Sequence, residues 1–293
     1  MMIRTNALII LAICVFIGLP AAAAPAVADD PSIIVTIEEV EGSTTMTRPN
    51  QAPVAAAIDM PVHMNDVLET VKSSKTHILF IDETEITLGE NARLSVDEYV
   101  FDPDNMNSNK GRFSIPQGPF QFVTGQIDKI QNPDVKIGTA YGAVGVRGTT
   151  VIGSNEPNNY GVFVQDGAAD VINNGGTVRL NAGQGTNLTS RNAAPSAARA
   201  WSPDRIGRAR NMIHLRREAL VRQRVAQHKM KFARIRQQRH LMRQKNLQKR
   251  PWQQKLKNGK LPWGGQTRKN KTDGQQSPQD LKRRRWWPGQ NQQ

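Results

Sequence analysis

The sequence predicts an all-β domain, a short-strand β-solenoid or sandwich, followed by a long basic helix and a disordered tail. Three observations carry this. Short β-branched runs punctuated by turn formers recur through residues 29–201, roughly every 8 to 12 residues, as in all-β domains. No stretch there sustains a 3.6-residue apolar period. The charge also divides the chain: residues 205–293 carry 26 Lys/Arg and 3 Asp/Glu, whereas residues 1–204 carry 13 and 22. The overall net charge of +14 therefore describes neither part, and an acidic body precedes a strongly basic segment.

Residues 1–28 read as a secretory signal peptide. Arg4 precedes an apolar run over residues 7–19, and Ala26-Val27-Ala28 offers small residues for cleavage after Ala28. The run is about 13 residues, short of the roughly 20 that cross a bilayer, so a retained anchor is the weaker alternative. Cys14, the one cysteine, lies inside the run, and the bulky Ile13 before it argues against lipid attachment. A chain cut after Ala28 has no thiol and hence no disulfide, thiolate nucleophile or cysteine metal site. The expected location is periplasmic or secreted.

In the body, strands are expected over residues 33–37, 77–81, 85–88, 93–96, 99–101, 120–123, 135–137, 149–152, 161–164, 169–172 and 177–180. Turn formers such as Asp102-Pro103-Asp104, Pro116-Gln117-Gly118-Pro119 and Asn173-Asn174-Gly175-Gly176 separate them. About 170 residues suffice to bury a real core. From Lys136 onward the strands look brief and glycine recurs between them, which favours rungs of a solenoid.

The run Gly142-Ala143-Val144-Gly145-Val146-Arg147-Gly148-Thr149-Thr150-Val151 is followed by Tyr160-Gly161-Val162-Phe163-Val164-Gln165-Asp166-Gly167 and then by Asn181-Ala182-Gly183-Gln184. Their order resembles the FecR family, whose hallmark is a Val-Arg-Gly-Thr core followed by a glycine-marked strand and a strand ending in Gly-Gln. Asn65-Asp66-Val67-Leu68-Glu69-Thr70 and residues 78–89 and 96–103 also fit, so the resemblance spans about residues 60–190. It rests on Gly145, Val146, Arg147, Gly148, Thr149, Gly167, Gly183 and Gln184, read as structural or partner-binding positions. In signalling members a periplasmic domain senses a receptor, and a cytoplasmic segment passes the signal to a sigma factor. Here six residues precede the apolar run, so the expectation is an exported β module without that segment.

Candidate chemistry in the body is weak. Gly142, Gly145 and Gly148 lack the G-x-G-x-x-G spacing of a dinucleotide loop and lead into a strand, so they are read as turn glycines, with Arg147 paired internally to a carboxylate. A partner contact by Arg147 is the alternative. His63 and His77 show no zinc spacing. The cluster Asp82-Glu83-x-Glu85 is read as a solvated turn. Asp102-Pro103-Asp104-Asn105-Met106-Asn107 is read as a polar insertion, because Met106 and Asn107 stand where a calcium loop needs a ligand and a glycine. No catalytic residue, metal or cofactor is expected.

A helix is expected from Ser202-Pro203-Asp204, which supplies a cap, a first-turn proline and an early carboxylate, up to Pro251. Its stripe of Val221, Val225, Phe232, Ile235 and Met242 is narrow and interrupted by His228 and Arg239, so order should come from an anionic partner. Residues 251–293 read as disordered, with tryptophans among cations. The expected anion-binding residues are Arg216, Arg217, Arg222, Arg224, Lys229, Lys231, Lys282, Arg283, Arg284, Arg285, Trp286 and Trp287. Export makes lipopolysaccharide, anionic phospholipid or an acidic polymer the expected partner, and disfavours nucleic acid. The plainer alternative is a tail that folds back on the acidic body. The β domain is expected to be a recognition or assembly module for an envelope protein. The alternatives are a modulator of a receptor-linked regulatory system and a polysaccharide-acting enzyme.

Overall fold

Alternating burial along short strands builds the body around one face of a sheet. The computed structural model describes residues 35–129 and 133–257, with side chains as far as residue 246. The signal-peptide segment and residues 258–293, including Lys282 to Trp287, lie outside the described residues. The strands are β1 (Val35–Glu41), β2 (Thr44–Thr47), β3 (Val54–Ala55), β4 (Pro61–Val62), β5 (Val67–Thr70), β6 (Lys75–Phe80), β7 (Glu85–Leu88), β8 (Arg93–Val100), β9 (Lys110–Gln117) and β10 (Phe120–Val123). They continue with β11 (Asp134–Thr139), β12 (Gly142–Glu156), β13 (Asn159–Asn173), β14 (Gly176–Asn181), β15 (Gln184–Leu188) and β16 (Arg199–Ala200). Two helices follow, α1 (Pro203–Ile213) and α2 (Glu218–Lys257).

All these strands belong to one curled, mixed sheet, in the order β3-β2-β5-β8-β9-β11-β12-β10-β7-β6-β1-β4, with β13 on the other edge of β12. The β9–β11 pair is parallel. Phe80, Tyr99, Phe113 and Phe122 meet at centroid separations of 5.2–5.3 Å in the core, beside buried Ile78, Ile86, Leu88, Leu94 and Ile137. Burying such side chains stabilises the fold by about 1.5–3 kcal/mol each.

The all-β class holds, but the strands after Lys136 are not all brief, since β12 and β13 run 15 residues each. The glycines that suggested breaks instead bend continuous strands. Along one edge, β12 pairs with β11 through residues 142–145 and then with β10 through residues 150–153. Similarly, β13 pairs with β15 through residues 160–163 and with β14 through residues 168–173. The change of partner falls at a register shift between Arg147 and Val151. Bulges of this kind turn a strand without ending it.

The chain divides into two compact units at Phe232/Ala233. Within the first, Ser202 caps α1 by accepting from the Arg205 N–H at 3.4 Å, and Pro203 takes the first helical position. The helical segment is broken at residues 214–217, where Lys75 Nζ donates to the Asn211 carbonyl (3.2 Å) and the His214 carbonyl at the end of α1. In the second unit, Pro251 does not stop the helix, which runs to Lys257. Proline removes a single N–H and strains one turn, which kinks a helix without having to end it.

Candidate recognition surfaces

The Val-Arg-Gly-Thr run forms the bend of β12. Gly148 (φ +56°) and Gly167 (φ +78°) face each other across the β12–β13 ladder, and a Cβ on Gly167 would lie 2.0 Å from the Gly148 carbonyl oxygen. Glycine is therefore required at Gly167 by both conformation and space. The hydroxyl of Thr149 accepts from the Arg147 N–H (3.0 Å) and lies within hydrogen-bonding distance of the Arg147 and Ala168 carbonyls (2.7 and 2.6 Å). Thr124 exchanges hydrogen bonds with the Thr149 backbone at 2.8–3.1 Å, and Asp128 accepts from the Gly148 N–H. Burial raises the pKa of Asp128, and nearby Asp82 adds to the rise, while the Gly148 N–H and the Thr124 hydroxyl oppose it. Further along, Gly183 (φ +81°) donates to the Val164 carbonyl, and Gln184 accepts from the Asn181 N–H, closing the β14–β15 turn.

The reading of Asp82-Glu83-x-Glu85 as a solvated turn is corrected. Asp82 is fully buried and accepts from Tyr99 Oη (2.7 Å), Thr84 Oγ1 (2.6 Å) and the Ile127 N–H (3.0 Å). These bonds tie the β6–β7 turn to β8 and to the loop at residues 124–128 that supports the bend. A carboxylate with that many donors is stable without water.

Arg147 is exposed, and among the described residues its guanidinium pairs with no carboxylate, which corrects the expected internal pair. The neighbouring acids are already engaged: Asp134 with Arg112 (2.5 Å) and Lys136 (3.7 Å), and Asp170 with Arg179 (3.4 Å). Lys136, Gly145, Asp170 and Arg179 form one cross-strand row, with Arg147 two residues along from Gly145. Arg147, Lys136 and Arg179 border a groove of about 250 Å³ that also includes Gly145 and Ala168.

The second surface is acidic and lies under the helices. A register shift on β1 sets Ile37 opposite Ile78 and Glu39 opposite His77, so Glu38 is the extra residue of a bulge and is buried beside buried Glu39. Both meet α2. His228 Nδ1 lies 2.7 Å from Glu38 Oε1, and Arg224 bonds the Glu38 carbonyl and approaches Glu39 at 3.4 Å. Lys229 Nζ reaches Glu85 Oε1 at 2.6 Å, and His77 Nε2 lies 3.3 Å from the other oxygen. The hydrogen bond to Glu38 raises the pKa of His228; burial and Lys231 oppose this, while the charges of Glu38 and Asp59 add to it. Burial alone would raise Glu85, but the hydrogen bonds and charges of His77 and Lys229 outweigh it and hold the carboxyl at about 2. That is the opposite of what a general acid needs.

Of the expected anion-binding residues, Arg224 and Lys229 are thus paired with the body's own carboxylates, and Arg222 pairs with Glu218 one turn away. Arg216 donates its backbone N–H to Glu41, and Arg217 and Lys231 are exposed. Of the expected stripe, Val221, Val225 and Phe232 are buried while Ile235 is half-buried and Met242 is exposed, so the stripe is used only as far as Phe232, and His228 interrupts it where Glu38 stands opposite. Glu38, Glu39 and Asp82 had no local sequence signal marking them as buried. A histidine inside an apolar helical stripe was the available clue to a buried acid.

Residues 66–170, from the start of β5 through the bend and most of β13, match the family model described as FecR protein. The chain carries a FecR domain. That match takes in the Val-Arg-Gly-Thr bend, Asp82 and the face bearing Arg147, while α1, α2 and β1 lie outside it. Two crystal structures of a "putative anti-sigma factor" from Parabacteroides distasonis ATCC 8503 are similar at 13% and 12% identity, each with a TM-score of 0.39. Each alignment covers 48% of this chain and 62% of the other, so the chain spans less than two thirds of those proteins. No curated protein matches the chain. Among the described residues no helix is long and apolar enough to cross a membrane, and no group of three or more His, Cys, Asp or Glu could hold a metal ion.

Proposed function

We propose that this is a non-enzymatic, signalling-related envelope protein, exported by its N-terminal segment, in which the FecR domain is the recognition module and the cationic C-terminal segment holds it at an anionic surface. The FecR family is regulatory rather than catalytic, which supports the first half. The partition of charge carries the second. Arg224, His228 and Lys229 meet carboxylates of the first unit, whereas residues 233–293 hold 17 Lys/Arg against 2 Asp/Glu. Lipopolysaccharide or anionic phospholipid suits that excess, with Trp286 and Trp287 at headgroup level.

Co-sedimentation with phosphatidylglycerol vesicles tests the tether. The full chain should bind at low salt and release as salt rises, and replacing Lys282, Arg283, Arg284 and Arg285 with Gln should weaken binding about tenfold or more. Unchanged binding by that variant overturns the tether.

A second reading, a partner that modulates a receptor-linked regulatory system, is favoured by the exposed Arg147 with its guanidinium unpaired among the described residues. Arg147→Glu should keep the fold and abolish site-specific cross-linking from the groove to an envelope protein. An undiminished cross-link would remove this reading.

A further inference from the structure

The outer face of the sheet changes character beneath the helices. Under α1 it is apolar: Ile152 and Phe163 pack with Trp201, Ala209 and Ile213. Under α2 it is acidic, with Glu38, Glu39 and Glu85 meeting His228, Arg224 and Lys229. Between these contacts runs a cross-strand row of uncharged or weakly basic groups, His77, Thr87 and Gln121, which continues into Ile152. Neither helix uses Gln121, whose side-chain amide bonds none of the described residues. The elbow between α1 and α2 spans this row and leaves a cleft of about 850 Å³, within the range of small-molecule sites.

The walls differ in chemistry. Gln121, Gln165 and Thr87 offer neutral donors and acceptors from the sheet, Val221 and Val225 of α2 and Leu215 of the elbow present apolar carbon, and the two lining carboxylates, Glu85 and Glu218, are paired with Lys229 and Arg222. Arg210 stands in the lining and donates to Gln165 at 3.0 Å, with no carboxylate within ion-pair range among the described residues. A neutral carboxamide does not neutralise a guanidinium, so this cation is available to an anion. An apolar ligand would leave Gln121 unsatisfied, whereas the Thr87 hydroxyl already bonds His77 Nδ1 at 2.9 Å, and a bare inorganic anion would leave most of the volume unfilled.

We propose that this cleft binds a small acidic saccharide. Its hydroxyl edge would meet Gln121, Thr87 and Gln165, its C–H face the helix wall, and its carboxylate Arg210. The site joins the FecR domain to the helices outside it, and it goes beyond the tether because it needs no residue after Lys229.

Calorimetry on the full chain with trigalacturonate, and with its fully methyl-esterified form, tests the assignment. Trigalacturonate should bind with one-to-one stoichiometry. Esterification, Arg210→Ala and Gln121→Leu should each weaken binding about tenfold. The variant with Lys282 and Arg283 to Arg285 changed to Gln should bind trigalacturonate like the parent, although it is the one expected to lose vesicles. Absence of binding by the parent, equal binding of the ester, or a loss confined to the Lys282–Arg285 variant overturns the cleft. The vesicle result stands or falls separately.

Discussion

The bend of β12 and β13 and the docked start of α2 are both places where polar groups leave water, and they are built by different means. At the bend, glycines, Thr149, Thr124 and Asp128 satisfy backbone groups close to them in space, with little dependence on ion pairs. At α2, long side chains reach across more than 140 residues of sequence to carboxylates of the sheet. The first arrangement is fixed by sterics and hydrogen bonds. The second depends on protonation and salt, so it is the part of the first unit that conditions can loosen.

Substitutions on the rigid side should have the largest effects. Asp82→Ala strands the Tyr99 hydroxyl, the Thr84 hydroxyl and the Ile127 N–H, and should destabilise the domain by about 3–5 kcal/mol in urea unfolding. Gly167→Ala places a methyl against the Gly148 carbonyl at positive φ and should cost about 3 kcal/mol by the same measurement. Changes on the charged side should be smaller and local. Glu38→Gln replaces a charged acceptor of His228 with a neutral one and should weaken docking of residues 218–232 by about 1 kcal/mol. Hydrogen exchange should then rise in that helix and stay unchanged at residues 147–150. Arg222→Ala removes an exposed pair on the helix surface and should change stability by about 0.5 kcal/mol or less, a useful zero for the series.

The same contrast explains what the sequence disclosed. The strands over residues 85–88 and 120–123 coincide with β7 and β10, because alternating burial leaves a local period. The cap at Ser202 was legible for the same reason. The expected pieces at residues 161–164 and 169–172 proved to be one strand, β13, because a glycine that permits a break also permits a bulge, and only the partner strands decide which forms. The Gly-Thr of the motif was recognisable by its residues. The exposure of Arg147 was not, since it follows from Asp134 and Asp170 already being paired. Glu38 and Glu39 look like surface charges until the bulge in β1 and the distant α2 are known. The Gln121 cleft needs both a sheet row and a helix elbow, and neither leaves a trace in a linear pattern.

The basic helix as far as Phe232 belongs to the acidic body, held there by the carboxylates that face Arg224, His228 and Lys229. Hydrogen exchange of the full chain at about pH 6 and about pH 9, corrected for intrinsic rates, reads this docking residue by residue. The folded pKa of His228 is raised, so its contribution is fully present below about 6.5 and is lost as pH rises through the higher folded value. Glu85, held near 2, stays ionised at both settings. Residues 220–232 should therefore be protected at the lower pH and lose protection at the higher one, while β7, β10 and the bend keep theirs. Exchange in residues 220–232 as fast as in an isolated helix at both values would mean that this stretch is not docked on the body.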